Sequence, residues 1–258
     1  MKSAIARTVR ATPPLRWLAG AAEYGLFGTP LRERIALGIL GAHYKSLYRR
    51  HWGWWLGGEP HFTPHRIELF NLLKGNGTDT LYAFSRAFYS AEVVRPGDVV
   101  LDIGCGEGSI TKRALAPKAG HVDAIDIEPS AIEAAKRLNP APNITYRRLD
   151  AVNEPLPQTY DVIVFDGAIG HFSPEGSAKL LTKIAQSLKP GGVFCGSESL
   201  GHEGHDHLQF FDTLEDMRAM LAPHFKHVRL KEHAYGERIE GYWRASNSSE
   251  RLDEIGWR

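Results

Sequence analysis

The stretch Val100–Gly108, Val-Leu-Asp-Ile-Gly-Cys-Gly-Glu-Gly, restricts what this chain can fold into more than any other feature. An apolar run ending on Asp102 reads as a strand. The glycines at 104, 106 and 108 read as a tight turn, and the residues from Ser109 as the start of a helix. Glycine lets the backbone approach a ligand where a Cβ would clash, and a helix start offers free N–H groups to a negative or polar ligand. Such a unit cannot bury its apolar strand alone, so it implies a sheet with crossover helices.

The rest of the chain supplies that sheet. Val99–Ile103, His121–Ile127, Ile144–Leu149, Val162–Phe165 and Val193–Ser197 read as strands. Thr111–Ala116, Ser130–Leu138 and Ser177–Leu188 read as helices between them. Alternating strands and helices predict a parallel sheet covered on both faces. Thr213–Leu221 reads as a further helix. His227–Ala234 and Glu240–Ala245 flank a turn at Tyr235–Arg238, which predicts a hairpin and a reversed last strand. The polar tail from Ser246 is expected to fray. Asp102, Asp126, Asp150 and Asp166 each close a strand, along the edge where open α/β sheets bind ligands.

The motifs resemble those of the class I, Rossmann-like S-adenosylmethionine-dependent methyltransferases, in the small-molecule and sugar O-methyltransferase style. VLDIGCGEG resembles their first motif, AIDIEP the acidic strand end, RLDAVNEPLP the adenine segment, YDVIVFDGAIGHF the fourth strand and LKPGGVF the turn before the fifth. The resemblance covers roughly residues 80–245 and implies a seven-stranded, mostly parallel sheet with an antiparallel last strand. It implies S-adenosyl-L-methionine as cofactor, with Gly104, Cys105 and Gly106 under its methionine and ribose parts. Asp126 would hold the ribose diol and Ile127 would lie against the adenine. Asp150 would take the adenine amino group and Ala151 would offer a backbone N–H. Asp102 would sit near the methionine amino group, with Asp166 or Gly167 below the methionine moiety. A nicotinamide-dependent dehydrogenase is the competing enzyme class, but its G-x-G-x-x-G turn requires glycine where Ser109 stands. A methyltransferase-like subunit serving a partner without catalysis is the non-enzyme alternative.

The acceptor is written less clearly. Methyl transfer needs alignment and, for a hydroxyl acceptor, a base. His171, after the fourth strand, is the candidate base, against the alternative that it caps its loop or packs on Phe172. His202, Glu203, His205, Asp206 and His207 follow the fifth strand. They lack the i, i+4 spacing of a preformed metal site, so His202, His205 and His207 are read as substrate-facing and no metal is expected. Trp52, Trp54 and Trp55, before a Gly57-Gly58 pair, either line a lid over the acceptor or anchor the N-terminal region to the core. The expected reaction is methylation of a hydroxyl on a small molecule or saccharide, with N-methylation of a small amine as the alternative.

The first fifty residues carry nine Lys or Arg against two Asp or Glu, while the whole chain of 258 residues has a net charge of only +1. The domain plan is a basic helical appendage and lid over 1–79, a methyltransferase core over 80–246 and a polar tail over 247–258. Helices are expected across Leu31–Tyr48 and Pro64–Lys74. The basic arm is compatible with peripheral contact with an anionic membrane, with a homodimer contact or with a solvated arm. The acidic remainder argues against nucleic acid as a partner. Cys105 and Cys195 form no CxxC pair, which fits a reducing, cytoplasmic setting.

Overall fold

The protein is described here from a computed structural model, which covers residues 79–201, 207–235 and 238–255, together with positions 38, 39 and 42. The chain divides into two compact units, Met1–Gly77 and Thr78–Arg258. The expected helices over 31–48 and 64–74 and the tryptophans Trp52, Trp54 and Trp55 lie outside the described residues.

The second unit is built on a seven-stranded sheet. Its strands are β1 (Val99–Ile103), β2 (His121–Asp126), β3 (Ile144–Arg148), β4 (Tyr160–Asp166), β5 (Leu188–Leu200), β6 (His227–Tyr235) and β7 (Arg238–Ser246). Their spatial order is β3-β2-β1-β4-β5-β7-β6. β7 is reversed relative to the other six strands, which all run in one direction. The helices are α1 (Asp79–Val93), α2 (Pro129–Leu138), α3 (Pro174–Ser187), α4 (Leu214–Leu221) and α5 (Glu250–Glu254). This is the Rossmann-like, mostly parallel sheet that the sequence predicts.

Local chemistry sets the helix starts. The Ser173 hydroxyl accepts from the Gly176 N–H, with Pro174 at the first helical position of α3. Thr213 and Asp216 form a reciprocal capping box at α4. Strand burial follows from position. Val100, Leu101, Ile163, Phe165, Phe194 and Val193 are fully enclosed because helices cover both faces of the central strands. One face packs Leu101, Ile163, Phe194 and Trp243 with α3 and α4. The other packs Val100, Val162, Val164 and Cys195 with α1 and α5.

Two expectations need correction. The tail does not fray throughout: residues 250–254 form α5, where Leu252 is buried and Arg251 donates to the Val93 carbonyl at 2.6 Å and pairs with Asp98. A polar segment is held because its two inward side chains find a core and a buried carboxylate. The helix expected over Thr111–Ala116 is present, as a π-helical turn over residues 111–115 closed by the Ala116 N–H to the Thr111 carbonyl at 2.9 Å. β5 runs on to Leu200, well past Ser197, because Ser197, Glu198 and Ser199 pair with β7 although they are polar. Lys189–Gly192 bulge out of its start, with Gly191 at φ 74°.

Candidate active site

The glycine turn after β1 is folded back by two hydrogen bonds. The N–H groups of Gly104 and Cys105 both donate to the Ile125 carbonyl on β2, at 2.8 and 3.0 Å. Gly104, Gly106 and Gly108 have φ of 72°, 53° and 76°, a region that only glycine enters at little cost. A Cβ on Gly106 would meet nothing within 4 Å, so open space lies over this part of the turn.

Asp126, at the end of β2, is the anchor of the turn. One carboxylate oxygen accepts from Gly106 N–H and the other from Glu128 N–H, each at 2.9 Å. Both bonds leave lone pairs for a diol. Ile127 beside it is half exposed, an apolar surface next to a polar anchor. At the end of β3, Asp150 accepts from Val152 N–H, Asn153 N–H and the Asn153 side-chain amide, which hold its carboxyl below the usual carboxylate range. Ala151 is buried, and its carbonyl accepts from Lys183 at 2.6 Å.

Two acids lie deeper. Burial pushes the Asp102 carboxyl up to about 7, although the Thr111 hydroxyl donates to it at 2.6 Å. Burial likewise raises Asp166 to about 6, against the opposing effects of the Arg86 charge and the Ser90 hydroxyl, which donates at 2.7 Å. Gly167 follows at φ 61°, and a Cβ there would fall on the Arg86 guanidinium. Arg86 on α1 is a site residue that sequence reading missed. It sits upstream of every motif, and only the packing of α1 over the end of β4 brings it in.

The loop after β4 joins the turn. A Cβ on Gly104 would lie 3.2 Å from the Ala168 Cβ, so the glycine turn and the loop carrying His171 touch. His171 is exposed at the end of a 3₁₀ turn, Ile169–His171. The His207 ring stands edge-on to it, with centroids 4.6 Å apart and planes at 85°, and Phe210 lies 5.9 Å beyond His207. The two loops are joined through Gly170. Its carbonyl accepts from Leu208 N–H at 2.8 Å, and its N–H donates to the buried Glu198 carboxylate at 2.9 Å. Glu198 is the second residue that sequence reading missed. His202 and His205 lie outside the described residues. Among the described residues no group of His, Cys, Asp or Glu is arranged to hold a metal ion.

Residues 100–192 match the methyltransferase domain family. The chain is 32% identical over 108 residues to bovine (Bos taurus) N-terminal Xaa-Pro-Lys N-methyltransferase 1, covering 40% of this chain and 48% of the relative. It is 35% identical over 113 residues to malonyl-[acyl-carrier protein] O-methyltransferase of Acetivibrio thermocellus, covering 43% and 38%. The matched part thus spans less than half of either relative. The fold matches the N-methyltransferase NodS of Bradyrhizobium japonicum with a TM-score of 0.53 at 18% identity, over 65% of this chain and 98% of NodS. NodS has also been solved with S-adenosylhomocysteine bound. These likenesses indicate S-adenosylmethionine as the cofactor, and the residues of the site fit that group. The Gly106 face is open, Asp126 stands fixed beside it, and Asp166 keeps one buried oxygen without a hydrogen-bond partner.

Proposed function

We propose that the protein is an S-adenosylmethionine-dependent methyltransferase acting on a hydroxyl of a small molecule or saccharide, with His171 as general base. One observation carries this reading: the glycine turn touches the loop that presents His171, so donor and base share one edge of the sheet. The donor, when bound, supplies an electrophilic methyl group. Asp126 would hold its ribose, Ile127 and Asp150-Ala151 its adenine, and the 102–106 and 166–167 segments its methionine end. The chain's own task is then alignment and proton removal. His171 takes the hydroxyl proton as the oxygen attacks. His207 and Phe210 wall the space beside it, and the Gly170 link to Glu198 fixes the loop. In the same reading His202 and His205 serve acceptor recognition, and the setting is cytoplasmic.

The test is His171→Ala. Turnover of tritium-labelled donor into small-molecule extract should fall by about 10²–10⁴-fold, while calorimetric affinity for S-adenosylhomocysteine stays within about twofold. Undiminished turnover at every pH would remove the base from the reading. A second reading, methylation of a nitrogen on a small amine, draws on Asp166 and Glu240, each with a buried oxygen that has no hydrogen-bond partner: a carboxylate there would take the ammonium proton and free the nitrogen lone pair for attack.

A further inference from the structure

Residues 151–154, the loop after β3, send their N–H groups and their carbonyls to different partners. The Val152 and Asn153 N–H groups donate to Asp150 Oδ1 at 3.0 and 3.1 Å. The Asn153 and Glu154 N–H groups reach the Asp150 carbonyl at 3.2 and 2.8 Å. The carbonyls of Ala151, Val152 and Glu154 converge instead on one atom, Lys183 Nζ of α3, the first two at 2.6 and 3.2 Å. Three carbonyl dipoles aimed at one point repel one another unless a cation stands there. An ammonium has three N–H donors and no acceptor, so these carbonyls use it completely.

Lys183 is held from behind. Its neighbours Leu180, Leu181 and Ile184 on α3 are buried in the core. Lys179, one turn earlier, donates to Asn153 Oδ1 at 3.0 Å, so α3 grips the loop twice. Partial burial lowers the Lys183 ammonium below the usual lysine range, and the Lys179 charge pushes the same way, against Asp150 and Glu154. A helix gains nothing from like charges four residues apart. Here the loop takes up both.

What the clamp fixes is Ala151. The peptide before it is held through the Asp150 carbonyl, and the peptide after it through its own carbonyl on Lys183. With both planes set, the direction of the Ala151 N–H is set as well. Ala151 is buried, yet among the described residues its N–H has no acceptor. Such an orphan donor is rare unless a ligand takes it. Beside it, Asp150 Oδ2 accepts only from the Asn153 side-chain amide, at 2.9 Å, and keeps a lone pair. A donor next to an acceptor complements the edge of adenine, where N1 accepts and the 6-amino group donates.

We propose that Lys183 is the positioning residue for adenine recognition, gathering three carbonyls so that the Ala151 N–H and Asp150 meet the base. It acts through the loop and stands 32 positions from Ala151, in none of the motifs around the site. The proposal rests on the donor reading above, in which Asp150 and Ala151 take the adenine.

Calorimetry on the full chain tests it with S-adenosylhomocysteine and S-inosylhomocysteine. The two differ at the base edge, where hypoxanthine has a donor at N1 and an acceptor at position 6, the reverse of adenine. The parent should prefer S-adenosylhomocysteine by about 10²-fold, because both contacts are mismatched in the other ligand. Lys183→Met, of similar length and without charge, should weaken S-adenosylhomocysteine by about tenfold or more and S-inosylhomocysteine by less than about twofold. The preference then falls by at least about fivefold. If Lys183→Met does not fold, Lys183→Gln carries the same comparison, with an uncharged amide in place of the ammonium. A parent that discriminates, with a variant that is folded by circular dichroism and discriminates equally, overturns the role of Lys183 alone. A parent that binds neither ligand, or both equally, overturns the adenine assignment of Asp150 and Ala151, and the role of Lys183 with it.

Discussion

Gly170→Ala should separate the two loops of the site without unfolding the protein. A Cβ at position 170 would stand 2.6 Å from His207 Nδ1, 2.8 Å from Cε1 and 3.0 Å from Cγ. Carbon contacts settle near 3.5–4.0 Å, so the ring must retreat by about 1 Å. It can do so, because it is the end of a rotatable side chain and not backbone. The φ of Gly170 lies outside the left-handed region, so alanine adds no backbone strain. Removing a glycine from the unfolded chain returns about 0.4–1 kcal/mol, against about 0.5–1.5 kcal/mol for the lost ring contact with His171. The net change in stability is then below about 1 kcal/mol, a shift in melting temperature of about 2–4 °C at most for a domain of this size. Catalysis is less forgiving, since a displacement of about 1 Å beside the reacting atoms costs about 10²-fold. The assay pairs thermal melting and S-adenosylhomocysteine calorimetry with turnover of labelled donor, and follows the imidazole NMR signals of His171 and His207. The expected pattern is shifted imidazoles, lost turnover, and unchanged donor affinity and melting. Unmoved His207 signals, or melting lowered by 10 °C or more on the order expected for a core defect, would refute the reasoning.

Asp126→Ala should weaken S-adenosylhomocysteine binding by at least about tenfold, because it removes the carboxylate that two backbone N–H groups orient; unchanged affinity by calorimetry would remove the ribose role. Gly196→Ala should destabilise by about 3 kcal/mol or more, since its Cβ would fall on the Phe165 carbonyl and the Trp243 ring, and backbone cannot move aside as a side chain can; denaturant melting checks this. The ligand-free protein should lose stability as pH rises from about 4 to 7. In that window the unfolded chain gives up the protons of Asp102 and Asp166 near 3.8 while the folded chain keeps them, up to about 7 and about 6 respectively. Asp102→Asn should flatten the slope, and an unaltered pH–melting curve would contradict the buried protonated acid.

The local signals in the sequence were sufficient for the sheet. Apolar runs of strand length, glycines before helix starts, and an acid near the end of each of four strands mark β1 to β5 as parallel strands of one sheet; their spatial order came from the structure. The Tyr235–Arg238 turn specifies the reversal at the end. Each of these depends on neighbours a few residues apart, and so leaves a mark in the linear chain. What the sequence hid depends on distant segments meeting. Ser197-Glu198-Ser199 reads as the end of a strand because polar residues ordinarily leave a core, yet β7 pairs with them and buries them. The tail reads as loose because the partners of Arg251, the Val93 carbonyl and Asp98, stand more than 150 positions earlier in the chain. Arg86, Glu198 and Glu240 belong to no motif, and only strand register and the packing of α1 gather them at the carboxyl edge. The sequence by itself thus determined the sheet and the donor's glycine turn. Tertiary structure decided which charges stand behind that turn, because burial and opposing charge act through space and not along the chain.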